Sequence, residues 1–211
     1  MMSMALAEAP VFPALAPPLT LRLRQETRDL HDRIEANARF ARLMAPDLTL
    51  AEYRRLVARL HGHYAPLEAA LEGMAHRLPA CLALHRRLNR RAALAADLSA
   101  LGFAPDDIAA LPRCEAFVIR SVEQALGALY VLEGSTLGGQ LIARHLQATL
   151  GIGPAAGAAH VVPHGAETGT LWRDFRLALD EGAEAAQFDP DAVIAAARHA
   201  FDRLDRWVAG A

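Results

Sequence analysis

The chain has 211 residues and no lysine; all 22 of its basic side chains are arginine. Schiff-base chemistry and lysine nucleophiles are thereby excluded. Its two cysteines, Cys81 and Cys114, are too few and too far apart for a zinc site or a disulfide framework. They read as small hydrophobes of a reducing compartment. Aromatic residues make up only 6% of the chain. β-Branched residues are scarce beside abundant alanine and leucine, which leans the composition towards an all-α fold. The basic residues face 24 acidic ones, a formal charge of −2 that argues against a dedicated nucleic-acid binder. No run of about 18 apolar residues is free of charge, so no membrane span is predicted.

The stretch Met1–Leu19 holds Glu8 and several prolines, with no basic residue before Arg22. It reads as a disordered tail over residues 1–19 rather than a signal peptide, and the expected location is the cytoplasm. A single helical domain is expected over residues 20–211, a length that suits one core. Thr20 is placed to cap a first helix of about Thr20–Ala38, with Leu21, Leu23, Leu30 and Ile34 on its apolar side. Thr49 and Glu52 form a capping box for a second helix, roughly Leu50–Met74, kinked at Pro66. A short arginine-rich helix follows Pro79, and another runs from near Arg91 to Gly102. The segment Arg113–Leu150 reads as one long apolar helix. A Gly-, Ala-, Pro- and His-rich loop over Gly151–Thr170 leads to two final helices, Leu171–Glu181 and Asp191–Val208. The expectation is a single domain of seven or eight helices.

Two segments carry chemistry. His31 and Glu35 lie four residues apart on the first helix and share a face. A metal-bound neutral imidazole wants its second ring nitrogen to donate, and a carboxylate one turn away can accept. The pair also reads as an exposed ion pair on a solvated face. The second segment is the apolar helix with Gly127, Gly134, Gly138 and Gly139. Glycine costs about 1 kcal/mol per helix-interior position relative to alanine, so four in one helix need a reason. Gly134 and Gly138, one turn apart, bare the backbone on one side. A flat ligand lying against that backbone and a close helix–helix crossing both fit the pattern. A bend there would suit a pocket that opens and closes.

Glu26-Thr-Arg-Asp-Leu-His31, followed by Ile34-Glu-Ala-Asn37, resembles the proximal-helix pattern of haem oxygenases. Leu129-Tyr-Val-Leu-Glu-Gly134-Ser-Thr-Leu-Gly138-Gly139-Gln140 resembles their glycine-rich distal helix in its bacterial form. Leu60-His-Gly-His-Tyr64-Ala-Pro-Leu67-Glu68 is similar to the family's second helix, and the likeness runs from about Leu21 to Val208. It implies an all-α bundle with haem b held between the first helix and a kinked distal helix. On this resemblance His31 matches the proximal iron ligand and Glu35 its carboxylate partner. Arg24 stands where the family places a cation for a haem propionate, usually a lysine. Tyr130 matches a propionate-binding tyrosine, Arg173 or Arg176 supplies a second cation, and Phe201 is a candidate pocket lining. Gly134, Gly138 and Gly139 match the glycines of the distal wall. Ser135 stands where mammalian-type members carry an aspartate, a departure that similar bacterial members share.

The resemblance further implies that haem is cofactor and substrate at once, opened to biliverdin, carbon monoxide and ferrous iron. Electrons would come from an external ferredoxin, flavodoxin or reductase, because the chain has no nucleotide-binding glycine signature. The purpose would be iron acquisition or bilin chromophore synthesis, the latter with a bacteriophytochrome as receiver. A haem-binding sensor or store without turnover is the alternative. A helical oxidase with two non-haem metals would need Glu-x-x-His spacing, which is absent. Elsewhere, His85 with Arg86, Arg87, Arg90 and Arg91 reads as a basic solvated face or a docking surface for an acidic donor. His61 and His63 point to different faces of one helix, a poor chelate. His145, His160, His164 and His199 read as surface or loop groups.

Overall fold

The computed structural model describes residues 17–210; residues 1–16 of the expected tail, and Ala211, lie outside the described residues. Among those described are ten α-helices and no strand. They are α1 (Leu19–Glu26), α2 (Arg28–Ala36), α3 (Ala38–Leu43), α4 (Leu50–Gly73) and α5 (Arg90–Ala100), then α6 (Pro105–Ala109), α7 (Val122–Gly134), α8 (Gly139–Leu150), α9 (Thr168–Glu184) and α10 (Pro190–Ala209). The capping box of Thr49 and Glu52 starts α4, and Pro66 lies inside it.

The count exceeds the sequence expectation because two predicted helices are broken. The first divides at Thr27, whose hydroxyl donates back to the Leu23 carbonyl at 2.7 Å, and again at Asn37, whose side chain accepts from the Arg39 N–H and caps α3. The long helix expected from Arg113 begins only at Val122. Ahead of it the chain is irregular, and Cys114 N–H donates to the Gly62 carbonyl at 3.0 Å. Phe117, Val118 and Ile119 in that stretch favour extended backbone over helix. A Cβ on Gly62 would meet the Pro112 carbonyl oxygen at 2.2 Å, so that strap can lie on α4 only where α4 carries glycine. The arginine-rich segment after Pro79 forms two 3-10 turns, Ala80–Leu82 and Leu84–Arg86, instead of an α-helix. The short α6 carries no apolar period and was not expected.

Central in the core is α7, whose Ala125–Leu129 are buried, and α10 packs on it more extensively than any other pair of elements. At their crossing a Cβ on Gly127 would lie 2.5 Å from Ala197 N and 2.7 Å from the Val193 carbonyl oxygen. α4 packs on α5 and also on α10, closing a core rich in leucine. Each leucine fully removed from water there contributes about 1.5–3 kcal/mol.

Two surface readings are corrected. The arginine run is not a basic face: Arg87 and Arg90 are buried, Arg86 pairs with Glu167 and Arg91 with Glu72. His160 and His164 are buried as well, held at Asp97 (2.7 Å) and beside Glu133 (3.5 Å). Both histidines lie in a loop whose backbone polar groups need buried partners, a need that local sequence does not display.

Candidate functional site

α7 stops at Gly134 because two hydroxyls turn back on it. Ser135 Oγ donates to the Leu132 carbonyl and Thr136 Oγ1 to the Glu133 carbonyl, each at 2.7 Å. Those bonds satisfy carbonyls that a continuing helix would have given to N–H groups. A turn over residues 135–138 follows, and then α8. The glycines divide the two sequence readings between them. Gly127 serves the helix crossing. Gly139 also serves packing, since a Cβ there would lie 1.7 Å from the Val161 carbonyl oxygen. At Gly138 a Cβ would meet nothing within 4 Å, and at Gly134 only the Trp172 ring at 3.9 Å. Bare backbone is therefore presented at Gly134 and Gly138.

His31 sits on α2, with 58% of its side chain exposed and Nδ1 3.7 Å from Glu35 Oε1. That separation exceeds a hydrogen bond but holds the carboxylate on the Nδ1 side, leaving Nε2 as the free nitrogen. The ring lies edge-on to Phe201 of α10, with centroids 6.3 Å apart at 70°. His31, Asp32 and Glu35 bring their ligand atoms within 4.8 Å of one another, the one such cluster found among the described residues. All three come from α2, so the site does not resemble a two-metal centre, whose ligands converge from several helices.

The third part is built around Tyr130, one turn before Gly134 on α7, with its ring 5.8 Å from that of Trp172 on α9. Burial raises the phenol above its ordinary pKa, while the Thr27 hydroxyl and the positive charges of Arg24 and Arg176 act in the opposite direction. The charges of Arg24 on α1 and Arg176 on α9 thus both act on one phenol. Arg173, on the same helix, pairs instead with its neighbour Asp174 at 3.0 Å. Apolar side chains stand open nearby in sequence: Leu137 in the turn and Leu141 on α8 are 50% and 58% exposed. His145, one turn after Leu141, hydrogen-bonds the Ala45 carbonyl at 3.1 Å, bringing α8 alongside exposed Met44.

Sequence reasoning missed Glu133, Arg87, His164 and Trp172. The one available signal was an acidic residue, Glu133, inside the otherwise apolar Leu129–Gly134 run. Two surface hollows lie elsewhere. One, about 450 Å³, is bordered by Arg54, Arg59, Phe103 and Trp207, and the other, about 400 Å³, by Phe117, Ala196, His199 and Arg203; neither contains a predicted site residue.

The fold matches solved bacterial enzymes. The structure of heme oxygenase from Leptospira interrogans superposes with a TM-score of 0.74 at 19% identity, over 92% of this chain and 100% of that one. The NO- and CO-bound heme oxygenase from Neisseria meningitidis gives 0.69 at 24% identity, over 92% and 94%. Heme oxygenase-1 of the cyanobacterium Synechocystis sp. PCC6803, solved in complex with heme, gives 0.68 at 15% identity, over 91% of each chain. At these identities the likeness establishes the fold alone. A comparison with curated proteins finds no match. The model of the heme oxygenase family matches residues 17–210, almost the whole chain. The protein belongs to the haem oxygenase family of haem-degrading oxidoreductases. No helix among the described residues is long and apolar enough to cross a membrane.

Proposed function

We propose that this chain opens haem oxidatively to biliverdin, carbon monoxide and ferrous iron, drawing electrons from an external ferredoxin, flavodoxin or reductase. The observation that carries the reading is the bare backbone at Gly134 and Gly138, one turn beyond Tyr130, whose phenol feels the positive charges of Arg24 and Arg176. Two cations and a phenol suit a pair of carboxylates, and exposed glycine backbone suits a flat ring. The residues present therefore fit haem. His31 Nε2 would hold the iron, with Glu35 orienting the ring through Nδ1 and Phe201 set edge-on to the imidazole. Arg24, Arg176 and Tyr130 would fix the propionates and with them the rotation of the ring in its plane. Bound haem supplies the iron that activates dioxygen and the porphyrin carbon that is oxidised.

The chain's own part is to bind, orient and leave room. No acid side chain stands on the bare patch, so protons would reach it through water. The Ser135 hydroxyl gives its hydrogen to the Leu132 carbonyl and so keeps only its lone pairs for such a water.

The test is to add haem to the purified protein, record the visible spectrum, and supply a reducing system in air. A Soret band that collapses into broad red bilin absorption, and that is weakened or shifted in His31→Ala, supports the reading. A Soret band that persists leaves a haem-binding module, and no Soret shift at all defeats the site assignment.

A further inference from the structure

We infer that Arg87, Glu133 and His164 form a buried positioning unit that fixes the distal turn at Gly134 against α9, and thereby selects which edge of the porphyrin is opened. The inference rests on the haem reading above.

Glu133 is the residue immediately before the first bare glycine. Its side chain and that of Arg87 are each 1% exposed, with Oε2 3.0 Å from Arg87 Nη1. Its other oxygen, Oε1, lies 3.5 Å from Nε2 of His164, whose side chain is 2% exposed. The tautomer of His164 follows from its other neighbour. Asn89 Nδ2 donates to the Pro163 carbonyl at 2.9 Å and lies 3.3 Å from His164 Nδ1. An amide nitrogen can only donate, so Nδ1 accepts and Nε2 carries the hydrogen that faces Glu133.

The guanidinium reaches further than the carboxylate. Arg87 Nε donates to the Leu82 carbonyl and Nη1 to the Leu171 carbonyl at 3.0 Å. Leu171 precedes Trp172, the residue whose ring stands nearest the missing Cβ of Gly134 and packs on Tyr130. One buried cation therefore ties the end of α7 to the α9 wall that carries Trp172 and, one turn on, Arg176. The backbone of Glu133 is held too, since its carbonyl accepts from Thr136 Oγ1. An ion pair taken out of water gains little stability over well-packed apolar residues of the same volume. Its place beside the bare backbone gives it a use in geometry. These are positioning residues: none touches the reacting atoms, and all act through the Gly134–Gly138 backbone.

The decisive variant is the double Arg87→Met/Glu133→Gln, which removes both charges and so leaves neither buried alone. Two readouts are taken: amide hydrogen exchange over residues 135–139 in the haem-free protein, and the ratio of bilin isomers formed by the haem-loaded protein. The double variant is expected to keep the Soret band of His31 ligation, to exchange those amides at least tenfold faster, and to change the isomer ratio at least threefold. Arg87→Lys, which keeps the charge, should recover most of the protection; a side chain that merely fills space would not separate Lys from Met. Should the double variant fail to fold, His164→Asn carries the same test with a smaller shift in the same direction. Unchanged exchange and an unchanged isomer ratio in a folded variant overturn the proposal. If the wild-type protein forms no bilin, the haem reading falls by itself, and the exchange readout still decides whether this unit holds the turn.

Discussion

Asp180 of α9 holds the first turn of α1 from outside. Oδ1 accepts from the Thr20 N–H at 2.8 Å and Oδ2 from the Thr20 hydroxyl at 2.7 Å. The residue before α1 is Pro18, which offers no side-chain cap, so a carboxylate 160 positions away does what a local serine or aspartate does elsewhere. Because α1 carries Arg24 and α9 carries Arg176, the same contact sets the spacing of the two cations. Asp180→Ala should cost about 1 kcal/mol in stability, the usual effect of losing a cap. Urea unfolding measures that cost, and faster amide exchange confined to α1 and the segment after it would assign it to this contact.

The glycines give a second prediction, because they are glycine for opposite reasons. Gly127→Ala drives a methyl into the backbone of α10 at Ala197 and should destabilise by about 1–3 kcal/mol or more. Gly138→Ala meets no atom within 4 Å and has φ −80°, which any residue adopts. It should leave stability unchanged or raise it by about 0.4–1 kcal/mol, through reduced freedom of the unfolded chain. Haem titration separates them again: Gly138→Ala should lose affinity while folding normally, and Gly127→Ala should bind normally once folded.

What could be read along the chain depended on whether the cause was local. The capping box at Thr49, the helical nature of every long element and the His31–Glu35 register all follow from contacts within one or two turns. The break at Ser135 is local in its chemistry, two hydroxyls turning back on carbonyls, but it is indistinguishable in sequence from serines and threonines that helices tolerate. Gly127 and Gly139 could not be told from Gly134 and Gly138, because what separates them is the neighbour each one faces. Arg87 and His164 read as surface groups because burial of charge is set by partners far along the chain. Thr20 was expected to cap its own helix and is instead the residue capped.

Arg173 and Arg176 are equal candidates by sequence, and their surroundings differ. The charge of Arg176 acts on the Tyr130 phenol together with that of Arg24, while Arg173 is paired with Asp174. Arg176→Ala should weaken haem binding by about 10- to 100-fold, the value of a charge-assisted hydrogen bond of about 1.5–3 kcal/mol. Arg173→Ala should change it less than about twofold, as removal of an exposed ion pair does. Equal losses in the two titrations would place the second propionate cation elsewhere on α9.

His63 makes the fold sensitive to acid. Its imidazole is 2% exposed, edge-on to Tyr64 and Phe117, and its Nδ1 has no partner. Burial pushes its pKa down to about 3, and the charge of Arg203, which lies over the Phe117 ring, acts the same way. Burial lowers His160 and His61 too, against the opposing pull of Asp97 in the case of His160. In the unfolded chain each imidazole titrates near 6.5. Between that value and the folded one the unfolded chain binds more protons. Stability is therefore full above about pH 6.5 and falls as the pH drops, until the folded value is reached. By pH 5, His63 alone has removed about 2 kcal/mol relative to its high-pH contribution, the slope approaching about 1.36 kcal/mol per pH unit. Urea unfolding at pH 7.5, 6 and 5 should show this slope, and His63→Leu should lessen it by about that amount while leaving the part due to His160. A slope unchanged in His63→Leu would mean that this imidazole is already solvated in the folded protein, and the acid sensitivity would then belong to His160 and His61.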